Sequence, residues 1–174
     1  MNIVLIGFMG CGKSSVGKKI ANKMNMNFID LDKIIEKNEN TSIQTIFDIK
    51  GEPYFRALEK KWLLSYNGEN SIISLGGGTP CYENNIELIN KIGISIYLEM
   101  NTYALTNRLY NSKQKRPLIE KYKNDKGILY QEIEKLLSFR KETYKKANII
   151  FEATNMSANK IEYLIEMLNT IENN

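Results

Sequence analysis

The chain has 174 residues, 43% of them hydrophobic and 25% charged, a size and balance that suit one globular domain with a full core and exclude a disordered or fibrous chain. Its 24 basic and 20 acidic side chains leave a formal charge of +4, a mild excess that suits anionic small substrates and, without a basic stripe, gives no argument for nucleic acid. There is no histidine, so histidine triads and histidine metal sites are excluded and the chemistry falls to carboxylates, lysines and arginines.

Met1 to Ile6 is a short apolar, β-branched run of the kind that forms a buried parallel strand. It runs into Gly7-Phe8-Met9-Gly10-Cys11-Gly12-Lys13-Ser14, which fits the phosphate-loop pattern GxxxxGK[ST] residue for residue. Glycines let successive backbone N–H groups turn inward around a phosphate, Lys13 supplies a point charge, and the Ser14 hydroxyl is a magnesium ligand type. Ser15 to Met24 continues as a helix with Val16, Ile20 and Met24 on one stripe, and its N-terminus adds free N–H groups and partial positive charge. Strand, loop and helix come in the order a nucleoside triphosphate site requires.

Asn27-Phe28-Ile29 is a second strand leading into Asp30-Leu31-Asp32, two carboxylates at a strand's C-terminal end, where open α/β sheets bind ligands. Magnesium and a substrate hydroxyl would need such a pair, but either aspartate would also cap the helix that follows through Lys37. Thr41-Ser42-Ile43-Gln44 is a capping-box pattern opening a helix that ends at Gly51, and another helix starts near Pro53. On the latter Arg56 and Glu59 lie three apart, either as a surface ion pair or as a functional arginine with its brace.

Ser71 to Leu75 is the third strand, and Gly76-Gly77-Gly78 follows it as either a flexible turn or a place where backbone approaches something closely. Glu83 to Lys91 suits a helix, Ile94 to Leu98 a strand and Thr102 to Leu109 a helix. Residues 111–127 are polar and lysine-rich around Arg116-Pro117-Leu118 and have the character of a mobile lid. A long helix runs from Leu129 to Tyr144, with Arg140 either functional or complementing the helix dipole. Asn148 to Phe151 is the last strand and Ser157 caps the final helix. The alternation gives about five parallel strands with helices on both faces, a three-layer α/β fold in a single domain.

Cys11 and Cys81 form no CxxC spacing, which suits a reduced compartment. A thiol near Lys13 and a helix N-terminus would have its thiolate favoured; two inert buried thiols are the alternative. No basic leader precedes the first apolar run and no run approaches the roughly 18 apolar residues of a membrane span, so a cytoplasmic location without a membrane partner is expected.

Taken together, Gly7 to Ser14, Asp30-x-Asp32, Gly51-Glu52-x-x-Phe55-Arg56-x-x-Glu59, Gly76-Gly77-Gly78, Arg116-Pro117-Leu118 and Arg140 with Tyr144 make the chain similar to the shikimate kinases over essentially its whole length. The resemblance implies a P-loop, nucleoside-monophosphate-kinase-like fold. It implies transfer of the γ-phosphoryl group of ATP, with Mg2+, to the 3-hydroxyl of shikimate in aromatic amino-acid biosynthesis, by a monomer. Carried over residue by residue, it places Gly10, Cys11, Gly12, Lys13, Ser14, Ser15, Arg116 and Ser157 at ATP. Asp32, Arg56, Gly77 and Arg140 fall at shikimate, and Ser14 and, through water, Asp30 at the metal. Lys13, Asp32 and Arg116 become the catalytic set, residues 31–62 the substrate-binding helices and 111–127 the lid. Cys11 stands where Ala or Ser is usual, Ser15 where Thr is common, Glu142 where a proline often lies, and Ser157 where an arginine often sits. Arg108 falls in the region of a second lid arginine and is given no role.

Overall fold

Five short strands, β1 (Asn2–Ile6), β2 (Asn27–Asp30), β3 (Ser71–Ser74), β4 (Ile94–Glu99) and β5 (Ile149–Glu152), pair in parallel in the order β2-β3-β1-β4-β5. The computed structural model describes residues 1–172. Ile3, Val4, Leu5 and Ile6 are all buried although successive side chains point to opposite faces, so both faces of the central strand are covered. The covering helices are α1 (Lys13–Met24), α2 (Leu31–Glu39), α3 (Ile43–Ser65), α4 (Asn85–Ile92), α5 (Thr102–Asn111), α6 (Lys126–Tyr144) and α7 (Ala158–Glu172). This is the three-layer arrangement expected.

The topology positions the site. The chain runs from β1 to β2 at one edge, returns through β3, and then crosses to β4 on the other side of β1, so the strand order reverses beside β1, and ligands bind beyond the C-terminal ends of strands at such a switch point. The phosphate loop follows β1, the aspartate pair follows β2 and the glycine run follows β3. Helix α1 lies close on the sheet because of Gly17, where a Cβ would come within 2.6 Å of Phe28 and 3.0 Å of Leu5.

Several boundaries differ from expectation. The cap of α3 is Ser42, whose hydroxyl accepts from Thr45 N at 3.1 Å, while Gln44 turns outward along the helix to Asp48 at 3.0 Å; the capping box starting at Thr41 does not form. Gly51 breaks the helix at φ 79°, a left-handed conformation glycine adopts freely, and the chain re-enters helix at once with Pro53 in the first turn after the break, as the sequence suggests. Helix α4 begins at Asn85 and not Glu83, because Glu83 and Asn84 both have positive φ. The lysine-rich segment is shorter than 111–127: α5 runs through Asn111, Asp125 caps α6 at Gly127 N and Ile128 N, and a single 3₁₀ turn forms at Glu120–Tyr122. Ile119 within it is fully buried, so the segment is anchored to the core at that point.

Candidate active site

The phosphate loop owes its shape to its own backbone. Gly12, at φ 100°, opens α1, and Val16 N donates to Gly12 O at 2.9 Å, which starts the helical ladder. Lys13 is buried and turns back into the loop, its Nζ donating to Gly7 O at 2.8 Å and Phe8 O at 3.0 Å, with Cys11 Sγ 3.8 Å away. The Ser14 hydroxyl donates to Asp30 Oδ2 at 2.7 Å and lies 3.4 Å from the Ser74 hydroxyl. Asp30 therefore does two things: its other oxygen accepts from Lys33 N at 3.4 Å as the cap of α2. Ser15 is exposed.

Asp32, in the first turn of α2, caps nothing. Its Oδ1 is buried without a partner. Burial, and then the negative charge of Asp30, hold its carboxyl above the ordinary range, while Lys13 and Arg56 pull the other way. A carboxylate left unpaired at such a position is equipped to receive a hydroxyl proton.

Arg56 and Glu59 are no surface pair. Glu59 is 0% exposed and Arg56 is 6% exposed. Arg56 Nη1 meets Glu59 Oε2 at 2.6 Å, and Arg56 Nη2 and Nε meet Glu52 Oε1 at 2.8 and 3.1 Å. Glu59 Oε1 accepts from the Thr79 hydroxyl. Burial pushes the Glu59 carboxyl up against the pull of Arg56 and Thr79.

Nor is the glycine run a flexible turn. A Cβ at Gly78 would lie 2.3 Å from Arg56 Nη2, and one at Gly77 would lie 3.0 Å from Met9 N, so both glycines make room for neighbouring parts of the same cavity. Arg140, 8% exposed, is stacked with its Cζ 5.6 Å from the Phe8 ring centre, and its Nη1 is buried without a partner. Glu142, one residue past the next, is exposed and pairs only with Lys145 at 2.8 Å, so α6 continues unbroken there.

Arg116 Nη2 donates to Gln114 Oε1 at 3.0 Å while its Nε is buried and unpartnered; burial lowers the guanidinium's proton affinity and Asp32 opposes this. Arg108 reaches the back of the loop, its Nη1 donating to Gly10 O at 3.4 Å and Cys11 O at 3.5 Å.

One open cavity of about 1220 Å³ collects these groups, its wall formed by Gly10, Gly12, Lys13, Ser14 and Ser15, by Asp30 and Asp32, and by Arg56, Gly76 to Gly78, Arg116 and Arg140. The volume exceeds the roughly 300–1,000 Å³ typical of a single small-molecule site, as two substrates require. Two of the expected nucleotide residues are not on its wall. The Cys11 side chain is buried beneath the loop, and Ser157 sits at the start of α7 with its hydroxyl accepting from Lys160 N at 3.2 Å. Cys81 is half-buried, and burial pushes its thiol up. Sequence reasoning missed Thr79, which is fully buried, and Asn85, whose Nδ2 donates to Thr79 O at 3.0 Å; a polar pair next to a glycine run was the available signal.

No cluster of three or more acidic or cysteine side chains that would cage a metal exists among the described residues, and no helix among them is long and apolar enough to cross a membrane.

Comparison with known proteins follows the same outline. The shikimate kinase family model matches residues 9–171. A curated shikimate kinase of Azobacteroides pseudotrichonymphae is 43% identical over 161 residues, covering 91% of this chain and 94% of the relative. The crystal structure of a shikimate kinase from Bacteroides thetaiotaomicron superposes with a TM-score of 0.89 at 34% identity, covering 100% and 99% of the two chains. That of Acinetobacter baumannii shikimate kinase, solved in complex with shikimate, gives 0.86 at 29% identity over 97% and 93%. Agreement in sequence and in backbone over nearly the whole length places this chain in the shikimate kinase family.

Proposed function

We propose that this protein transfers the γ-phosphoryl group of ATP to the 3-hydroxyl of shikimate. The observation that carries this reading is the gathering of two buried arginines, Arg56 and Arg140, and a phosphate loop on the wall of one cavity. Planar guanidinium forks bind a carboxylate bidentately in a way lysine cannot reproduce, and shikimate is a carboxylic acid with ring hydroxyls.

Phosphoryl transfer asks mainly for alignment and charge neutralisation. Backbone N–H groups of Gly10, Cys11, Gly12, Lys13, Ser14 and Ser15 cradle the phosphates, and Lys13 meets them with the N–H donor that its two carbonyl partners leave. The 31–62 helices and Gly77 seat the acceptor. There Asp32 orients the attacking hydroxyl and takes its proton, and Arg116 meets the charge developing on the transferred group from the 112–125 lid. The donor set at Ser14 and Asp30, two oxygens 2.7 Å apart beside the phosphate loop, fits Mg2+, which takes few protein ligands and keeps several waters. Ser14 would hold it directly and Asp30 through water. When bound, the ion neutralises β- and γ-phosphate charge. The reading is of a cytoplasmic monomer in the shikimate pathway, and the two unbridged cysteines suit a reducing compartment. A coupled assay of ADP release with and without shikimate tests it. Release should be shikimate-dependent, and a rate indifferent to shikimate would refute the assignment.

A further inference from the structure

The hydroxyls of Thr79 and Tyr144 are both buried, and each donates to a group that bears on the Gly76–Gly78 run. On one side, Thr79 Oγ1 donates to Glu59 Oε1, and the other oxygen of Glu59 accepts from Arg56 Nη1 at 2.6 Å. Asn85 Nδ2 fixes Thr79 from behind through its carbonyl at 3.0 Å. Gly78 lies so close to the Arg56 guanidinium that no Cβ fits between them. On the other side, Tyr144 Oη donates to Gly77 O at 2.5 Å, and its ring packs on Tyr97 with centres 5.0 Å apart. Tyr144 lies one turn after Arg140 on α6, so this bond ties the helix carrying the second arginine to the same three glycines.

We propose that the glycine run is a spacer fixing the distance between Arg56 and Arg140, with Thr79 and Tyr144 as its positioning residues. The carboxylate specificity of the acceptor site then depends on these two hydroxyls. This rests on the reading of the arginine pair as a carboxylate clamp. The geometry favours it because the guanidinium of Arg56 makes three bonds to protein, which leaves donors of its fork for a ligand. Arg140 likewise presents a buried, unpartnered Nη1. A bidentate clamp made of two separate side chains works only if both are held within a few tenths of an ångström, and a pair of long, rotamer-rich side chains needs such braces.

The test is kinetic. Initial rates are measured with shikimate and with its methyl ester, which keeps the hydroxyls but masks the carboxylate, for wild type, Arg56→Ala, Thr79→Val, Thr79→Ser and Tyr144→Phe. Arg56→Ala should abolish the preference for acid over ester. Thr79→Val, which keeps shape and deletes the hydroxyl, should raise KM for shikimate about tenfold while leaving kcat, KM for ATP and the ester rate within about twofold. Tyr144→Phe should do the same about threefold, and Thr79→Ser should restore wild-type preference. If Thr79→Val does not fold, Tyr144→Phe decides on the same readout. Should both keep wild-type preference, or slow acid and ester alike, while Arg56→Ala abolishes the preference, this inference is overturned and the clamp stands. Undiminished preference in Arg56→Ala would overturn both.

Discussion

The phosphate half and the acceptor half of the cavity are made of different materials. The first is a stretch of eight consecutive residues whose recognition groups are backbone N–H, preformed by glycine geometry and one lysine. The second is a set of charged side chains converging from α2, α3 and α6 on the turn after β3, several of them buried and paired. A backbone site tolerates changes of side chain; a side-chain site tolerates neither a lost charge nor an added methyl. The two halves should therefore respond to substitution on different scales.

The largest effect is expected at Asp32. Asp32→Asn keeps size and one hydrogen-bonding oxygen but removes the charge that, on the proposed mechanism, accepts the proton, so kcat should fall about 10²–10⁴-fold with ATP affinity nearly unchanged. Initial rates at saturating substrates, alongside calorimetric ATP binding, measure this; an unchanged kcat would take Asp32 out of the chemistry. Next comes the steric contrast. Gly78→Ala puts a methyl where only 2.3 Å separates it from Arg56 Nη2, so the KM for shikimate should rise tenfold or more, by the roughly 1.4 kcal/mol a displaced charged bond carries. Ser15→Ala, an exposed change in the other half, should alter the KM for ATP less than about twofold. Equal effects from the two would erase the distinction between the halves.

Asp30 sits at the seam between them. If Asp30 holds Mg2+ through water as proposed, Asp30→Asn weakens that outer shell, and the magnesium concentration for half-maximal rate should rise severalfold, with excess magnesium restoring most of the activity. A titration in which excess metal rescues Asp32→Asn but not Asp30→Asn would exchange their roles.

The smallest effect is a displacement along the pH axis. Glu59 braces Arg56 only when ionised, and burial holds its proton to a higher pH than an ordinary carboxylate would keep it. Arg56 on α3, Asp32 on α2 and the Thr79 hydroxyl face this group, and Glu52 shares the Arg56 guanidinium with it. Shikimate kcat/KM should therefore fall on the acid side from a point above the usual carboxylate range. Thr79→Val deletes a bond that favours the ionised form, so its acid limb should lie at still higher pH. A limb that stays in place would show that Glu59 does not titrate into the rate.

What was legible beforehand follows from this division. The phosphate loop could be read because all its determinants are contiguous, and the five strands because buried parallel strands are plain apolar runs. The spacing of Arg56 and Glu59 suggested a brace, but nothing in the helix itself distinguishes a surface pair from a buried one; that depends on Thr79, twenty residues away and in contact only through the fold. The glycines after β3 were identified as a place of close approach, yet what approaches Gly78 is Arg56 of the same chain. The capping boundary moved by one residue because Thr41 and Ser42 compete for the same role, and only Ser42 reaches the third amide along. Residue 157 carries a cap hydroxyl where the family resemblance placed a nucleotide contact, and its side chain serves the helix it begins.

Lys13 gives the phosphate loop a property of a different kind. Its ammonium is already engaged by two carbonyl oxygens of the loop that surrounds it. An ammonium has three N–H donors, so the two bonds to the loop leave one for a phosphate oxygen. The internal bonds thus keep the loop wound around its own lysine and hold the charge in place for that one contact.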